Sequence, residues 1–486
     1  MGILSCCGHR LFDIFEELAA MPHGSGNTGQ ISAWCASFAE RRGLRHIRDS
    51  RDNVVIFKDA SPGCEACAPV ILQAHLDMVC VHEPDYDIDM EKQPVRLMTD
   101  GKTVWADRTS LGADNLIGVS IILAILEDDS PAHPPIEAVL TSDEETGMHG
   151  ALALDCSVLK GRKLINLDSG SDGNFTVCCA GGLLVTSRIP VKYDALESDY
   201  ILEKIDINGL SGGHSASKIG SGRANANMVM AELLSGLGGG IPVRLCSFTG
   251  GAAENAIAFS SSAVLAIPAD SKESFNSHMA VAAALLKRRY AATDPSLSVT
   301  WSEASGFDRA LSAMRTAEVT ALMASLPYGV IAFDTRFEGL PRTSLNMGIV
   351  RIEEGVLEYH HYLRSTRNNE ISELESVLKT SAESLGGSIE SSCGYPAWDY
   401  REDSPLRDLL MESYEEVTGR KASFHGTHGG LECGVLLSKL PGADIVAANP
   451  DLRDVHSVRE RLDVQSSKVL YSVVSRALEK CAKGGY

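Results

Sequence analysis

The sequence of 486 residues lacks the features of several specialised protein classes. It has no apolar run of membrane-spanning length, and its N-terminus has no basic segment followed by an apolar core and a cleavage site. Lysine and arginine total 44 against 64 acidic residues, which gives a formal net charge of −20. Because an acidic surface repels phosphate backbones, we expect no nucleic-acid partner. We also expect no membrane contact and a cytoplasmic location.

The 13 cysteines lack the spacing of a small disulfide scaffold. Cys64 and Cys67 form an isolated C-x-x-C pair between two prolines, without the second pair that a zinc knuckle requires. We therefore interpret this pair as reduced residues of a loop.

A dinucleotide-binding fingerprint is also absent, although one segment imitates it. Gly24 to Gly29 fits the pattern G-x-G-x-x-G and precedes a helical stretch. A true fingerprint follows a strand, whereas here residues 11–21 repeat apolar side chains at helical spacing. The segment therefore predicts a turn between two helices.

The patterning that is present predicts two domains, one of them interrupted by the other. Strand-like and helical stretches alternate over residues 1–182, and the same pattern returns over residues 395–486. This alternation predicts an α/β domain with a mainly parallel sheet. Residues 183–394 contain longer alternating strands between helices, which predicts an inserted α+β domain.

Acidic and imidazole side chains recur in the α/β segments, mostly where predicted strands end. The carboxyl ends of parallel strands line the binding crevices of α/β sheets, so we expect these side chains to converge. They supply two histidines, a carboxylate able to bridge, two terminal carboxylates and a spare carboxylate, as a two-metal hydrolytic site requires. The residues are His75, Asp114, Glu144, Glu145, Asp168 and His456, with Asp77 near His75 in sequence.

Metal chemistry assigns the five predicted ligands to two ions. Asp114 is the predicted bridge, because a carboxylate can span two ions about 3.5–4 Å apart. His75 and Asp168 would complete the shell of one ion, and Glu145 and His456 the shell of the other.

Two further acids are predicted to act beside the ligands. Asp77 lies two residues from His75, on the same side of an extended segment, and can accept the second imidazole N–H. Glu144 is the predicted general base, which takes a proton from a metal-activated water and passes it to the leaving amine. An isolated Glu-Glu pair is usually a solvated turn, but the apolar residues 136–141 before this pair favour a site at a strand end.

The motifs around these residues resemble those of the aminoacyl-histidine dipeptidases, also called peptidase D. These belong to a group of zinc-dependent amino-, di- and carboxypeptidases and aminoacylases with an inserted lid or dimerisation domain. The resemblance covers nearly the whole chain in matching order. It rests on HLDMVC (75–80), LGADN (111–115), SDEETGMHGA (142–151), NLDSG (166–170), GLSGGHSA (209–216), HGGLECG (428–434) and His456.

The resemblance implies the same ligand, base and orienting roles, with two zinc ions per chain that cobalt or manganese can replace. It also implies a homodimer formed through the lid domain. His214 matches a histidine that binds substrate and polarises the scissile carbonyl, sometimes across a dimer. His428 and Glu432 lie in a segment similar to the substrate-end loop, and Asn255 and Arg364 are candidates for gripping the substrate carboxylate.

The resulting expectation is a two-metal hydrolase of dipeptides, of the Xaa-His type such as β-alanyl-histidine and broader. An aminoacylase or carboxypeptidase of the same group remains an alternative, as does a catalytically silent metal-binding dimer. Leu116 stands where relatives usually have glycine, so we expect its side chain to crowd the helix that begins near Asp114.

Overall fold

The protein folds into two compact units in a computed structural model that describes residues 2–237, 240–353 and 355–484. The first unit comprises the described residues of Met1–Cys179, Trp398–Thr427 and Leu431–Tyr486. The second unit comprises those of Ala180–Ala397 and His428–Gly430. Within the described residues, no helix combines the length and apolar character needed to cross a bilayer.

Helices and strands alternate along most of the chain. The helices are α1 Arg10–Ala19, α2 Gly29–Arg41, α3 Ala113–Glu127, α4 His149–Ala153, α5 Ser215–Lys218, α6 Ala226–Leu237, α7 Lys272–Arg289, α8 Ala313–Ser325, α9 Asn368–Ser384, α10 Pro405–Thr418, α11 Glu432–Lys439 and α12 Val464–Ala482. The strands are β1 Arg45–Arg48, β2 Val54–Lys58, β3 Val70–His75, β4 Leu97–Thr99, β5 Thr103–Ala106, β6 Ile136–Thr141, β7 Lys163–Asn166, β8 Gly170–Ser171, β9 Asn174–Cys179, β10 Gly181–Pro190, β11 Tyr193–Ala195, β12 Tyr200–Asn208, β13 Gly213–His214, β14 Arg244–Gly250, β15 Ala256–Ile257, β16 Ser261–Pro268, β17 Ser298–Glu303, β18 Arg309–Leu311, β19 Gly329–Phe333, β20 Pro341–Glu353, β21 Val356–Ser365, β22 Ser388–Tyr395, β23 Ser423–Thr427, β24 Asp444–Ala447, β25 Leu452–Arg453 and β26 Arg461–Asp463.

The first unit is built on a sheet of order β1-β2-β6-β3-β7-β24-β9-β23. Strands β6, β3, β7 and β24 run parallel, and β1 and β2 add antiparallel pairing at one edge. Every residue of β3 and β6 is buried, and successive residues such as Ile71 and Leu72 pack into different apolar clusters on opposite faces. Strands buried on both faces explain the continuous apolar runs in the sequence and confirm the predicted α/β class.

The second unit is built on an antiparallel sheet of order β17-β12-β16-β14-β20-β21-β10-β22, with β19 paired to β20. Helices α6, α7, α8 and α9 contribute buried side chains to one apolar cluster with these strands. Alternating burial along β12 and at the start of β21 matches the alternating sequence pattern, because one face of the sheet is covered by helices. The predicted α+β character of this segment is confirmed.

Two local predictions have different outcomes. Gly24 to Gly29 joins α1 to α2 without a preceding strand, which confirms the predicted helix–helix turn. The sequence pattern predicts a final helix over residues 461–482, but the helix begins at Val464 because Arg461–Asp463 pair as β26 with β5 and β25.

Candidate metal centre

The parallel strands of the first unit deliver most of the predicted site residues to one edge of the sheet. His75 is the last residue of β3, and Glu144 and Glu145 follow the end of β6 by three and four residues. Asp168 follows the end of β7 by two residues. Since β6, β3 and β7 are adjacent and parallel, their carboxyl ends lie side by side.

Asp114 and His456 reach the same place from outside the sheet. Asp114 lies in the first turn of α3, where its own backbone and that of Asn115 are non-helical. His456 lies between β25 and β26 and adopts a left-handed backbone conformation with φ of 60°. Both residues therefore project from irregular backbone, where side-chain direction is free of helical and strand periodicity.

The two carboxylate oxygens of Asp114 face two different imidazoles. Asp114 Oδ1 lies 3.3 Å from His75 Nε2, and Asp114 Oδ2 lies 3.3 Å from His456 Nε2. His75 Nε2 is also 3.3 Å from Asp168 Oδ1, and His456 Nε2 is 2.8 Å from Glu145 Oε1. Asp114 thus occupies the position between two donor groups that a bridging carboxylate needs.

Three overlapping groups of donor atoms could each hold an ion, with all atoms of a group within 4.8 Å of one another. Asp114 is common to two of these groups, and His75 is also common to two. The groups are His75 with Asp114 and Asp168, Asp114 with Glu145 and His456, and His75 with Glu144 and Glu145. Six of the seven residues predicted to bind or assist metal are therefore brought together, and the seventh, Asp77, lies beside His75.

Asp77 contacts His75 and also the loop that carries Glu144 and Glu145. His75 Nδ1 lies 3.0 Å from the Asp77 backbone oxygen and 3.4 Å from Asp77 Oδ1, which directs Nε2 towards Asp114 and Asp168. The Asp77 carboxylate also accepts the backbone N–H groups of Glu144 at 2.9 Å and Glu145 at 3.2 Å. Although burial opposes its charge, hydrogen bonding and the charge of His75 lower the pKa of Asp77 to about 2.

The environment of Glu144 suits a group that exchanges protons. Burial, reinforced by the charges of Asp168, Glu145 and Glu432, raises the pKa of Glu144 well above its ordinary value. A carboxyl group with a raised pKa can accept a proton from a reacting water and release it again to a leaving group.

The donor set fits hard or borderline divalent cations. Imidazole nitrogen and carboxylate oxygen are the donors that zinc, cobalt and manganese accept. Five carboxyl groups lie around two imidazoles, so the cluster has more acidic than basic side chains, and bound cations would balance the acids. The five are Asp77, Asp114, Glu144, Glu145 and Asp168.

Leu116 does not displace the candidate bridge. Its side chain is fully buried in the apolar cluster formed with α1, α10 and α12, and Asp114 still reaches both histidines. The larger residue therefore fills core volume on the helical side of the sheet, and the expected crowding is not seen.

Glu432 belongs to the first unit and lies in its interior. It is the first residue of α11 and is fully buried, and its Oε2 accepts hydrogen bonds from Gln73 Nε2 at 2.5 Å and Thr141 Oγ1 at 2.6 Å. Burial raises the pKa of Glu432 to about 7. The structure thus gives this carboxylate a place in a buried network below the cluster.

The other predicted substrate residues belong to the second unit, where they form two groups. His214 and Ala256 pair across the small β13–β15 sheet, and the Ser215 N–H donates to the Asn255 carbonyl at 2.8 Å. Arg364 donates to the Tyr395 hydroxyl at 2.8 Å, and His428 Nε2 lies 2.7 Å from Ser344 Oγ. Burial and the nearby charge of Arg364 lower the pKa of His428 to about 3.

Sequence reasoning missed three residues that support the cluster. Ser25 donates to Asp77 Oδ2 at 2.7 Å, and Asn115 Nδ2 donates to Asp168 Oδ1 at 2.6 Å. The carboxylate of Glu460 accepts hydrogen bonds from the loop that precedes Asp114. Asn115 could have been suspected because it adjoins Asp114, but nothing local marks Ser25 or Glu460.

A cleft adjoins the cluster within the first unit. It has a volume of about 650 Å³ and is lined by the α1–α2 turn, by Met78 to Cys80 and Met90 to Lys92, and by Glu145 and Thr146. The Gly24 to Gly29 segment therefore contributes its backbone to the wall of a space beside a candidate metal ligand.

A mainly parallel sheet with paired histidine and carboxylate donors at its strand ends is the architecture of a metal-dependent hydrolase. Residues 71–480 match the profile of peptidase family M20/M25/M40, and the chain belongs to that family. It is a metallopeptidase, as the resemblance in the sequence motifs predicts.

Known proteins resemble this chain in sequence and in fold. The chain is 32% identical over 470 residues to the cytosol non-specific dipeptidase of Escherichia coli (strain K12), covering 97% of both chains. The crystal structure of an aminoacylhistidine dipeptidase from Vibrio alginolyticus has a TM-score of 0.90 at 32% identity, covering 99% of this chain and 98% of that one. An aminopeptidase from Bacillus cereus shares the fold with a TM-score of 0.61 at 15% identity, covering 97% and 98%.

Metal uptake should release protons. Burial opposes the charge of His75, but Asp168, Asp114 and Asp77 raise its pKa well above the ordinary value, and hydrogen bonds to Asp114 and Glu145 raise the pKa of His456 to about 10. The ring of His456 is therefore protonated at pH 7 in the metal-free protein and must lose that proton to bind. We expect metal uptake to release protons, with His456 as one source, and the metal affinity to rise with pH.

Calorimetry of zinc binding at pH 7 in buffers of different ionisation enthalpy measures this release. His456→Gln should release about one proton fewer than the wild type. His278→Gln, an exposed residue of α7, should behave as the wild type. A binding enthalpy independent of the buffer would contradict the prediction.

Proposed function

We propose that this chain is a dipeptidase whose metal centre comprises His75, Asp114, Glu145, Asp168 and His456. The observation that carries the proposal is the division of the two Asp114 oxygens between two imidazoles, beside a buried glutamate with a raised pKa. Family membership supports the metal dependence and the peptidase chemistry.

The donor groups that share Asp114 would hold two divalent ions, for which zinc is the proposed metal and cobalt or manganese are acceptable substitutes. When bound, such ions polarise a peptide carbonyl and lower the pKa of a nucleophilic water. The excess of buried carboxylates over imidazoles supports a requirement for more than one cation.

Glu144 is the proposed general base and acid. It would accept the proton of the attacking water and donate it to the amine nitrogen as the peptide bond breaks. Asp77 supports both steps, because it orients His75 and fixes the backbone of Glu144 and Glu145 through their N–H groups. Peptide cleavage then returns Glu144 to its starting state.

The second unit is the proposed lid and dimerisation domain, within the range 183–394. Arg364 and His428 are the proposed site for the carboxylate of the substrate. The buried Arg364 Nε is without a hydrogen-bond partner among the described residues, and a carboxylate would accept its N–H. His214 is the proposed stabiliser of the developing oxyanion, with Asn255 beside it, and a homodimer through this domain is part of the proposal.

The proposed substrates are dipeptides with a free amine and a free carboxylate. Both relatives that are 32% identical over nearly the whole chain are named as dipeptidases, one non-specific and one for aminoacyl-histidine peptides. We therefore propose Xaa-His dipeptides such as β-alanyl-histidine within a broader range, and a cytoplasmic location. Comparing free dipeptides with N-acylated amino acids would distinguish this function from the aminoacylase and carboxypeptidase alternatives.

Glu144→Ala should keep its metals and lose turnover. Removing the proton carrier should lower kcat by about 10²–10⁴-fold on alanyl-histidine, because the ligand atoms remain while the proton transfer is lost. Metal content by mass spectrometry and steady-state kinetics measure the two effects. Glu65→Ala, on an exposed loop, is the control, and near-normal cleavage by Glu144→Ala would refute the role.

Arg364→Ala should weaken recognition of the substrate carboxylate. We expect KM for a dipeptide to rise by about 10–100-fold, the worth of a hydrogen bond to a charged group, while hydrolysis of the matching dipeptide amide changes little. Arg351→Ala, which removes an exposed arginine paired with Glu358 in the neighbouring strand, should leave both substrates unaffected. Equal losses on the acid and the amide would contradict carboxylate binding.

A further inference from the structure

Glu460 joins two segments that are distant in sequence. Its Oε2 accepts the backbone N–H of Leu111 at 2.8 Å and of Gly112 at 3.0 Å, and its Oε1 accepts the N–H of Asp114 at 3.3 Å. The side chain is nearly fully buried, with 2% of Glu460 exposed. One carboxylate therefore satisfies three backbone donors at the start of α3.

Each of the joined segments carries a candidate metal ligand. Asp114 itself donates one of the three hydrogen bonds, and His456 lies four residues before Glu460 in the segment between β25 and β26. The His456 side chain is 44% exposed, so packing alone does little to hold it. Its backbone position depends on the strand pairing of Arg453 with Arg461 and on the anchor at Glu460.

Burying the Glu460 carboxyl group at this place is energetically unfavourable unless the fold needs it there. Glu460 is buried beside a cluster that already holds several carboxylates, and burying an additional charge there is unfavourable unless hydrogen bonds compensate it. Three backbone N–H groups offset this cost, and hydrogen bonds from N–H groups to a carboxylate are strong. A carboxyl group placed here indicates a positional requirement at the Asp114 backbone.

We infer that Glu460 is a positioning residue that sets the distance between Asp114 and His456, so that their donor atoms share one ion. The inference rests on the two-metal function proposed above. Residues that orient ligands from behind contribute strongly to metal affinity even though they do not touch the ion. Glu460 acts here through the backbone of one ligand and the loop of the other.

The geometry distinguishes glutamate from glutamine at this position. Both oxygens of Glu460 face N–H donors, so an amide nitrogen in either place would oppose a donor. In Glu460→Gln, the amide oxygen can keep the paired bonds to Leu111 and Gly112. The amide nitrogen then faces the N–H of Asp114 and cannot accept its hydrogen bond. The backbone of the proposed bridging ligand therefore loses its anchor.

The test compares the full-length wild type with Glu460→Gln, and it measures zinc affinity by chelator competition and the visible spectrum of the cobalt-loaded protein. We expect the weaker-bound ion to lose about 10–100-fold in affinity, with an altered cobalt spectrum. At limiting zinc, kcat on alanyl-histidine should fall, and excess zinc should restore most of it. KM at saturating zinc should stay near the wild-type value.

Glu137→Gln is the matched control. Glu137 is also a buried glutamate of the first unit, and its carboxylate accepts the backbone N–H groups of Lys160 and Gly161 at 2.9–3.0 Å. Glu137→Gln should lower the melting temperature of the metal-free protein by about as much as Glu460→Gln does. It should leave both zinc affinities and the cobalt spectrum unchanged. If Glu460→Gln fails to fold, Glu460→Asp shortens the same anchor and should show the same metal loss.

Each outcome decides the inference. Wild-type zinc affinity and spectrum in the Glu460 variant overturn it, as does an equal metal loss in Glu137→Gln, which would mark a general stability effect. A wild type that binds fewer than two ions or cleaves no dipeptide overturns the proposed function together with the inference. Two ions and dipeptide turnover in the wild type, with unchanged metal binding in the variant, overturn the inference alone.

Discussion

Repulsion among carboxylates at the end of the parallel sheet is the constraint on which the rest of the first unit depends. Asp114, Glu144, Glu145 and Asp168 bring oxygens into groups whose atoms lie within 4.8 Å of one another. Burial raises the pKa of Glu144, and the like charges of its neighbours add to that effect. Hydrogen bonds to Asp114 and Glu145 raise the pKa of His456. The fold must hold these carboxyl groups together against their mutual repulsion, and bound cations would offset the repulsion that remains.

Backbone amides supply much of the force that holds the cluster. Asp77 accepts the N–H groups of Glu144 and Glu145, and Glu460 accepts those of Leu111, Gly112 and Asp114. Neither acid needs to contact a metal ion in order to position the ligands. Each fixes the backbone of a ligand-bearing loop, so part of the cost of organising the site is met during folding.

The parts of this arrangement that are local in sequence could be predicted, and the parts that depend on distant contacts could not. Apolar runs ending near His75 or Asp168 indicate strand ends, because a strand buried on both faces has a continuous run of apolar residues in the sequence. The anchors made by Glu460 and Ser25 cross 346 and 52 positions of sequence and follow no periodicity. The three-residue strand β26 was hidden for a related reason, since only its pairing with β5 and β25 separates it from α12.

A buried polar chain below the cluster shows how the strands themselves are kept in register. Thr141 and Asn166 are the last residues of β6 and β7, and Gln73 lies two residues before the end of β3. The side chain of Gln73 is hydrogen-bonded to both of the others. Glu432 binds the first two, and Asn166 accepts the N–H of Asp168 at 3.2 Å.

Such a network is unfavourable in a core unless its members are satisfied and its geometry is needed. Here each of the three strands contributes one member just before its candidate site residue, since His75, Glu144 and Asp168 all follow within three residues. A slip of one residue in any strand would break this chain and also turn a donor to the opposite face of the sheet. The polar network therefore explains why buried glutamine, asparagine and glutamate occupy positions that apolar residues could fill with less cost.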